Sequence, residues 1–410
     1  MANALLNPSI ITKRALVEFK NSMVLLQKVD RQLDTEFGKH IGSSVSVRKR
    51  VRYAATDGAD ITGAISDTIE GKVLVTLDKR KVVSLSFDSS ELALDIEEFA
   101  DRYIRPAMIE LAQQVETSIA ETYKQIWNFT GTPGTNPSTF LQIGTAGAIL
   151  DEGGVPMDDR CAFYTPGASL TLADGLKGVF PQQIATNAIE KALINNYAGF
   201  MVYKSQSLQT HTVGAHGGTP LVNGAAQNVT ATAAKDGYTQ SLITDGWTNS
   251  ITDVLLEGDT FTIAGVFAVN PRTRQSTGRL QSFVVRADAT SGASTGPATL
   301  TIAPAIITSG AFQTVDSAPV DNAAITVTSG TASTGYSQNM AFTKDAITVA
   351  FATLGKPTGN ADYSQQSMDG VSVRYVADFD VKTDTNVYRF DVLYGVLAQN
   401  PGQAVRHVGA

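Results

Sequence analysis

Residues 258–270 read GDTFTIAGVFAVN: a turn signal, then a run of β-branched, aromatic and small residues with no charge beyond Asp259 and no helical spacing of its apolar side chains. The same texture extends over residues 212–337, where 126 residues carry only 13 charged side chains and 33 are Ser or Thr. Strand-like runs at 227–233, 260–270, 280–286, 298–302 and 324–328 are punctuated by Gly, Pro, Asp and Ser. This predicts five or six short strands in a small barrel or sandwich. The flanking sequence reads as helices mixed with strands, so a compact all-β unit interrupts an α+β host. Such an insertion points to assembly or recognition before chemistry.

Upstream, Leu16, Phe19, Met23, Leu26 and Val29 fall at helical spacing within residues 8–37, which predicts an exposed N-terminal arm of one or two helices. From Val45 the period becomes two. Val45, Val47 and Val51 share one face of a strand, and Ser46, Arg48, Arg50 and Arg52 share the other. A Gly-, Asp- and Thr-rich loop follows at 54–71, then alternating apolar residues at 73–77 and 83–87 on either side of a charged turn. Residues 42–90 therefore read as a protruding β arm with too few apolar side chains for a core of its own. The longest helical signal runs over 97–127, with acids in its first turns, apolar residues from Ile104 to Ile126 at three and four, and Pro106 kinking it or starting a second helix. Beyond it the sequence predicts a strand at 161–164, helices at 168–176 and 182–195, and a strand at 200–204. After the insert it predicts a helix at 344–354 and strands at 371–379 and 387–396.

Length and composition set the bounds. The 410 residues carry 43% apolar side chains, enough for two or three cores. The net charge of −7 excludes a surface given over to gripping nucleic acid. The charge is uneven: residues 1–52 hold ten Lys and Arg against four Asp and Glu. A lone cysteine, Cys161, excludes an internal disulfide framework and fits a reducing compartment. Pro8, Lys13 and Arg14 interrupt any early apolar run, and no uncharged apolar stretch is long enough to span a membrane. A soluble, intracellular chain is expected.

The chemistry scan is nearly empty. Residues 292–296, GASTG, match the G-x-S-x-G pattern, but Pro297 and another strand follow where a nucleophile elbow needs a helix. His211 and His216 sit five apart in a Gly-rich linker without neighbouring ligands, which reads as surface loop rather than metal site. No metal, cofactor or catalytic set is predicted. Arg48, Arg50 and Arg52 admit three readings: a solvated edge, ion pairs with carboxylates of an identical neighbour (Asp57, Asp60, Asp67 and Glu70 being the local candidates), or nucleic-acid contact.

The order of elements, with residues 95–127, YAGFMVYKSQSL at 197–208, GDTFTIAGVFAVN, NMAFTKDA at 339–346 and YGVLAQNPGQAVR at 394–406, resembles the major capsid proteins of tailed double-stranded DNA phages. These have the Hong Kong 97-type fold, and the likeness is greatest to coat proteins of Salmonella-infecting short-tailed phages, which carry an inserted β-barrel. The resemblance implies an α+β fold with an N-terminal arm at 1–41, a β arm (E-loop) at 42–94, peripheral and axial capsid parts at 95–213 and 338–410, and the barrel at 214–337. It implies a virion protein, assembled in the bacterial host cytoplasm into hexamers and pentamers of an icosahedral shell. Its partners would be a separate scaffolding protein, since no long charged helical segment precedes residue 42, a portal, a decoration protein, and encapsidated DNA held by weak non-specific contact, with no membrane. The loop at 235–245 resembles in position one that reaches a neighbouring capsomer, so Asp236 and Asp245 join Arg48, Arg50, Arg52, Asp57, Asp60 and Glu70 as intersubunit candidates. The rivals are a non-viral display or adhesion protein and, behind it, a hydrolase.

Overall fold

A computed structural model describes residues 8–21, 23–32, 44–53, 68–88, 103–176, 196–357, 362–368, 370–380 and 385–410. The chain divides into two compact units. One comprises Met1–Val45, Leu74–Ala120 and Ile347–Leu397, the other Ser46–Val73, Glu121–Ala346 and Ala398–Ala410. The segment predicted as a helix at 182–195 and the loop residues Asp57, Asp60 and Asp67 lie outside the described residues.

In the first unit an antiparallel sheet joins Lys79–Asp88, Thr385–Leu397, Val371–Asp380, Asp362–Met368 and Thr348–Ala352. Val371, Val373 and Tyr375 alternate into its core with Phe390, Val392 and Tyr394, as period-two patterning requires. The Arg105–Ala120 helix buries Met108, Leu111, Ala112, Val115 and Ile119 along one stripe, and the Ser118 hydroxyl on it accepts a hydrogen bond from Tyr394 at 2.8 Å. Pro106 is the second residue of this helix, close to its N-terminal end, where proline is tolerated. The described helix is 16 residues long and tightens into a 3-10 turn at Glu121–Gln125; residues 97–102 of the element predicted over 97–127 lie outside the described residues.

The N-terminal segment corrects the expectation of an exposed arm. Leu16, Phe19, Met23, Leu26 and Val29 are all buried. The carboxylate of Glu116, itself buried, accepts hydrogen bonds from the Val24 and Leu25 N–H groups, the latter at 2.7 Å, and fixes the chain just beyond the Pro8–Asn21 helix. The apolar stripe of an amphipathic helix says that it must be covered, not by what.

The β arm is corrected as well. Ser44–Arg48 pairs with Lys72–Thr76 in a two-stranded ribbon, but Lys79–Asp88 is a full member of the five-stranded sheet, in register with residues 394 to 385 over its whole length. Residues 344–354 form a 3-10 turn at Lys344–Ala346 and the strand Thr348–Ala352, not a helix. In a short apolar run, periodicity alone does not separate helix from strand; here pairing with residues 393–397 decides.

In the second unit a mixed sheet runs Phe129–Thr130, Ala404–Val408, Gly335–Thr343, Arg160–Tyr164, Phe200–Lys204, Asn196–Tyr197, with Thr210–Thr212 also on Gly335–Thr343. The helices Phe140–Glu152 and Pro166–Leu176 supply Ile143, Ala146, Leu150, Ala168 and Leu172 to its core. Thr139 and Gln142 form a capping box that starts the first of these.

The same unit holds a six-stranded antiparallel sheet ordered Ile325–Val327, Thr260–Val269, Ser276–Val285, Ala298–Ala303, Gln240–Trp247, Gly218–Val222. Its end strands meet: Leu221 bridges to Ala324, and the Val222 N–H donates to the Ala323 carbonyl at 3.0 Å, which closes the sheet into a barrel. Leu242, Trp247, Phe261, Ile263, Phe283, Val285, Leu300 and Ile302 fill the interior. The strand predicted at 227–233 is absent. Its Ala-rich sequence has weak strand propensity, and the loop instead packs Ala234 with Val229 and Ala231 against Ala305, Ile307 and Phe312. Asp245 accordingly lies in the strand Gln240–Trp247, not in a loop.

Candidate intersubunit contact site

The basic residues that follow the Ser44–Arg48 strand form a docked edge. The Lys49 N–H donates to the Gly71 carbonyl at 2.8 Å, and the Lys49 ammonium sits 3.3 Å from the centroid of the Tyr238 ring, a cation–π contact. Burial lowers the Lys49 pKa to about 8, with Asp236 pulling the other way. Asp236 also accepts the Lys72 N–H at 2.8 Å. A Cβ on Gly71 would stand 2.0 Å from the Lys235 carbonyl oxygen, so only glycine permits this approach. Tyr238, in left-handed backbone at φ 65°, donates its hydroxyl to the Gln399 carbonyl at 3.3 Å and packs against Trp127 at 5.7 Å between ring centroids.

Of the predicted contact residues, Arg48 meets Glu70 of its own chain at 3.3 Å, and Arg50 meets Asp345. Their side chains are nonetheless 83% and 62% exposed, so these pairs are weakly held. Arg52 is exposed at the rim of a cleft of about 640 Å³ that Lys49, Tyr238, Trp127 and Arg272 also line. The structure brings Lys49, Arg52 and Tyr238 together but holds Asp245 apart in the barrel wall. Lys49, Tyr238 and Gly71 were not singled out from sequence; the GK dipeptide at 71–72 in an otherwise polar loop was the available signal.

His211 corrects the surface-loop reading, whereas His216 does stand in a loop, half-buried, with its Nε2 3.0 Å from the Gly330 carbonyl. His211 is buried: its Nε2 is hydrogen-bonded with Asp259 Oδ1 at 2.9 Å, and its Nδ1 with the Tyr123 hydroxyl at 3.1 Å. Burial alone would raise the Asp259 pKa, but the His211 hydrogen bond and charge and the Leu256 and Gly214 N–H donors outweigh it and hold the carboxyl below its ordinary range. Beside this chain the Arg406 guanidinium, fully buried, donates to the Gly258 carbonyl and twice to Gln338 Oε1, at 3.2 and 2.8 Å. Tyr, His and Asp in line have the composition of a proton relay, but all three are buried and structural. Ser294 of the GASTG stretch lies in a loop ahead of the Ala298–Ala303 strand, with no helix after it. Cys161 is a buried thiol. Among the described residues no group of His, Cys, Asp and Glu could hold a metal, and no helix is long and apolar enough to cross a membrane.

His407 gives a pH prediction. Its ring is buried, Nδ1 has no hydrogen-bond partner, and burial lowers its pKa to about 4. The unfolded chain takes up this proton near pH 6.5 and the folded chain only near 4, so stability falls as pH drops through that window, by on the order of 3 kcal/mol. Urea unfolding of His407→Phe between pH 6.5 and 4 should show a shallower loss than the parent. Equal slopes would refute the assignment.

An α+β host that carries a closed barrel and an exposed basic ribbon has the make-up of a subunit built for contact. The chain belongs to the P22 coat protein family: the model described as "P22 coat protein - gene protein 5" matches residues 1–408. It is a structural major capsid protein of tailed phages, one that self-assembles into the virion shell. Among solved structures it is similar to one from Mycobacterium phage Che8, at 14% identity over 95% of this chain and 90% of that one, TM-score 0.48. The capsid of Ralstonia phage GP4 aligns at 10% identity over 93% and 86%, TM-score 0.45. The CUS-3 coat protein I-domain aligns at 28% identity over 28% of this chain and 97% of its own, TM-score 0.20. Among curated proteins none is a significant match.

Proposed function

We propose that the subunit builds hexamers and pentamers of an icosahedral shell around double-stranded DNA, on a separate scaffolding protein and with a portal, in the cytoplasm of a bacterial host. A decoration protein is a further partner on this reading. Residues 214–337 serve as an inserted barrel domain, and the DNA is touched weakly and without base preference through the basic first 52 residues. Arg48, Arg50 and Arg52 pair across the subunit boundary with carboxylates of a neighbour, Asp57, Asp60, Asp67 and Glu70 among them, and Asp236 and Asp245 contribute contacts from the insert.

The observation that supports this is the exposure of Arg48 and Arg50 despite their partners in the same chain. Loosely held pairs exchange partners at little net cost, so a neighbour's carboxylate can replace a local one. The triple variant Arg48→Glu, Arg50→Glu, Arg52→Glu is expected to leave the subunit folded and to abolish shells in sedimentation and electron microscopy. Assembly of the parent should weaken with added salt, as screened pairs do. Normal shells from the triple variant would make the stripe merely solvated.

A further inference from the structure

Seven Lys and Arg side chains line the cleft beside Tyr238, against a single carboxylate, that of Glu152. Two are answered locally, Arg50 by Asp345 and Arg279 by Glu152 at 3.2 Å. Lys49 has Asp236 nearby, and among the described residues Arg52, Lys235, Arg272 and Arg274 have no ion pair of their own. Arg274 sits in left-handed backbone at φ 56°, and its Nε is buried with no hydrogen-bond partner. A non-glycine residue in that conformation is held there against a local cost, and such strain gathers where a ligand is met. In a chain whose net charge is −7, so many uncompensated cations around one hollow repel one another unless an anion enters.

The floor of the cleft selects among anions. Val51, Val155 and Phe312 make it partly apolar. Of the lining aromatics, Trp127 and Tyr238 pack on each other with Lys49 over the Tyr238 face, which leaves Tyr53 as the exposed ring. Single-stranded nucleic acid wants a row of open aromatic faces for its bases. A peptide that interleaves carboxylates with large apolar side chains matches both the charge and the floor. This chain contains one: residues 88–101, DSSELALDIEEFAD, have six carboxylates, no Lys or Arg, and Leu92, Leu94, Ile96 and Phe99 among the acids.

We propose that the cleft receives residues 88–101 of a second copy of this chain. The contact rests on the coat-protein reading and deepens it, for it gives the shell a second charge-complementary joint, one that shares Arg50 and Arg52 with the stripe and adds Lys235, Arg272 and Arg274. Charge complementarity of this kind sets the register and the rate of encounter.

The test is a fluorescence-anisotropy titration of full-length subunit against labelled synthetic DSSELALDIEEFAD, against the same peptide with its six acids changed to Lys, and against labelled oligodeoxythymidine. Lys235 and Arg272 are both exposed, so Lys235→Glu/Arg272→Glu is compatible with folding, and Lys235→Gln/Arg272→Gln with a thermal melt provides the control. The acidic peptide is expected to bind the parent, to lose affinity in high salt, and to bind the Glu variant at least about tenfold more weakly, with the Gln variant between. The lysine peptide should prefer the Glu variant. No binding of the acidic peptide, or equal binding to parent and Glu variant, would overturn the proposal, as would binding of oligodeoxythymidine in its place. Shell formation by the parent is read separately by electron microscopy, so normal shells without peptide binding would remove this joint and leave the coat role standing.

Discussion

Replacing Arg406 with Met is expected to destabilise the barrel-bearing unit by about 3–5 kcal/mol, the range for removing one partner from a buried charged network. The guanidinium joins the Gly258 turn, where φ is 103°, to Gln338 on the strand leaving the barrel, and lies 5.0 Å from the centroid of the Tyr123 ring. Met fills much of the volume but leaves the Gly258 carbonyl and Gln338 Oε1 without donors in a dry site. Burial lowers the Arg406 pKa to about 10, against the pull of Tyr123 and Asp259, so the group stays charged at neutral pH. Arg406→Lys should recover part of the loss, because a point charge cannot reproduce the fork. Urea denaturation with Trp247 fluorescence as one probe checks this. A midpoint within about 1 kcal/mol of the parent would show that the hub is incidental.

In the other unit, Asp391→Ala should be of similar size. This carboxylate is fully buried and accepts from Arg374 Nε at 2.8 Å, from Arg374 Nη2 and from Arg80, with Arg389 Nε at 3.3 Å. Without it three guanidinium groups face one another, and the expected loss is about 3–5 kcal/mol. Burial would raise the Asp391 pKa, but the hydrogen bonds and charges of Arg374 and Arg80 outweigh it and lower it. The stability it contributes is therefore present above the ordinary carboxylate range and is lost as pH falls below about 4. The double variant Asp391→Leu/Arg374→Met should be milder than Asp391→Ala, since it removes charge from both sides. Hydrogen exchange along residues 371–397 reads the effect locally; protection unchanged in Asp391→Ala would refute it.

Much of this was legible in the sequence, and what was not has physical causes. The strand Thr260–Val269 stands where its β-branched residues put it, and Arg160–Tyr164 where a short apolar run closed by Pro166 puts it, because local pattern and tertiary burial agree there. Gln240–Trp247 is not legible: its sequence, QSLITDGW, mixes Asp and Gly into the run, and pairing with Ala298–Ala303 on one side and Gly218–Val222 on the other makes it a strand. The segment at 79–88 looked like free arm because nothing in its own residues names Thr385–Leu397 as the partner. At the contact site the Arg stripe was visible as a period-two charge row. Lys49 against Tyr238 was not, since a cation–π pair 189 positions apart leaves no local trace.

The strand that leads into the barrel, Thr210–Thr212, and the one that leads out, beginning at Gly335, lie side by side, Thr212 opposite Gly335. To the host sheet, the whole insertion is topologically a hairpin loop. Closing such a loop grows dearer only with the logarithm of its length, about 0.6 kcal/mol for each doubling, and a folded loop has already spent its own disorder elsewhere. The host ladder is thus indifferent to what hangs from it: a lineage could lengthen, shorten or exchange the barrel while the two strands at its neck keep the same register.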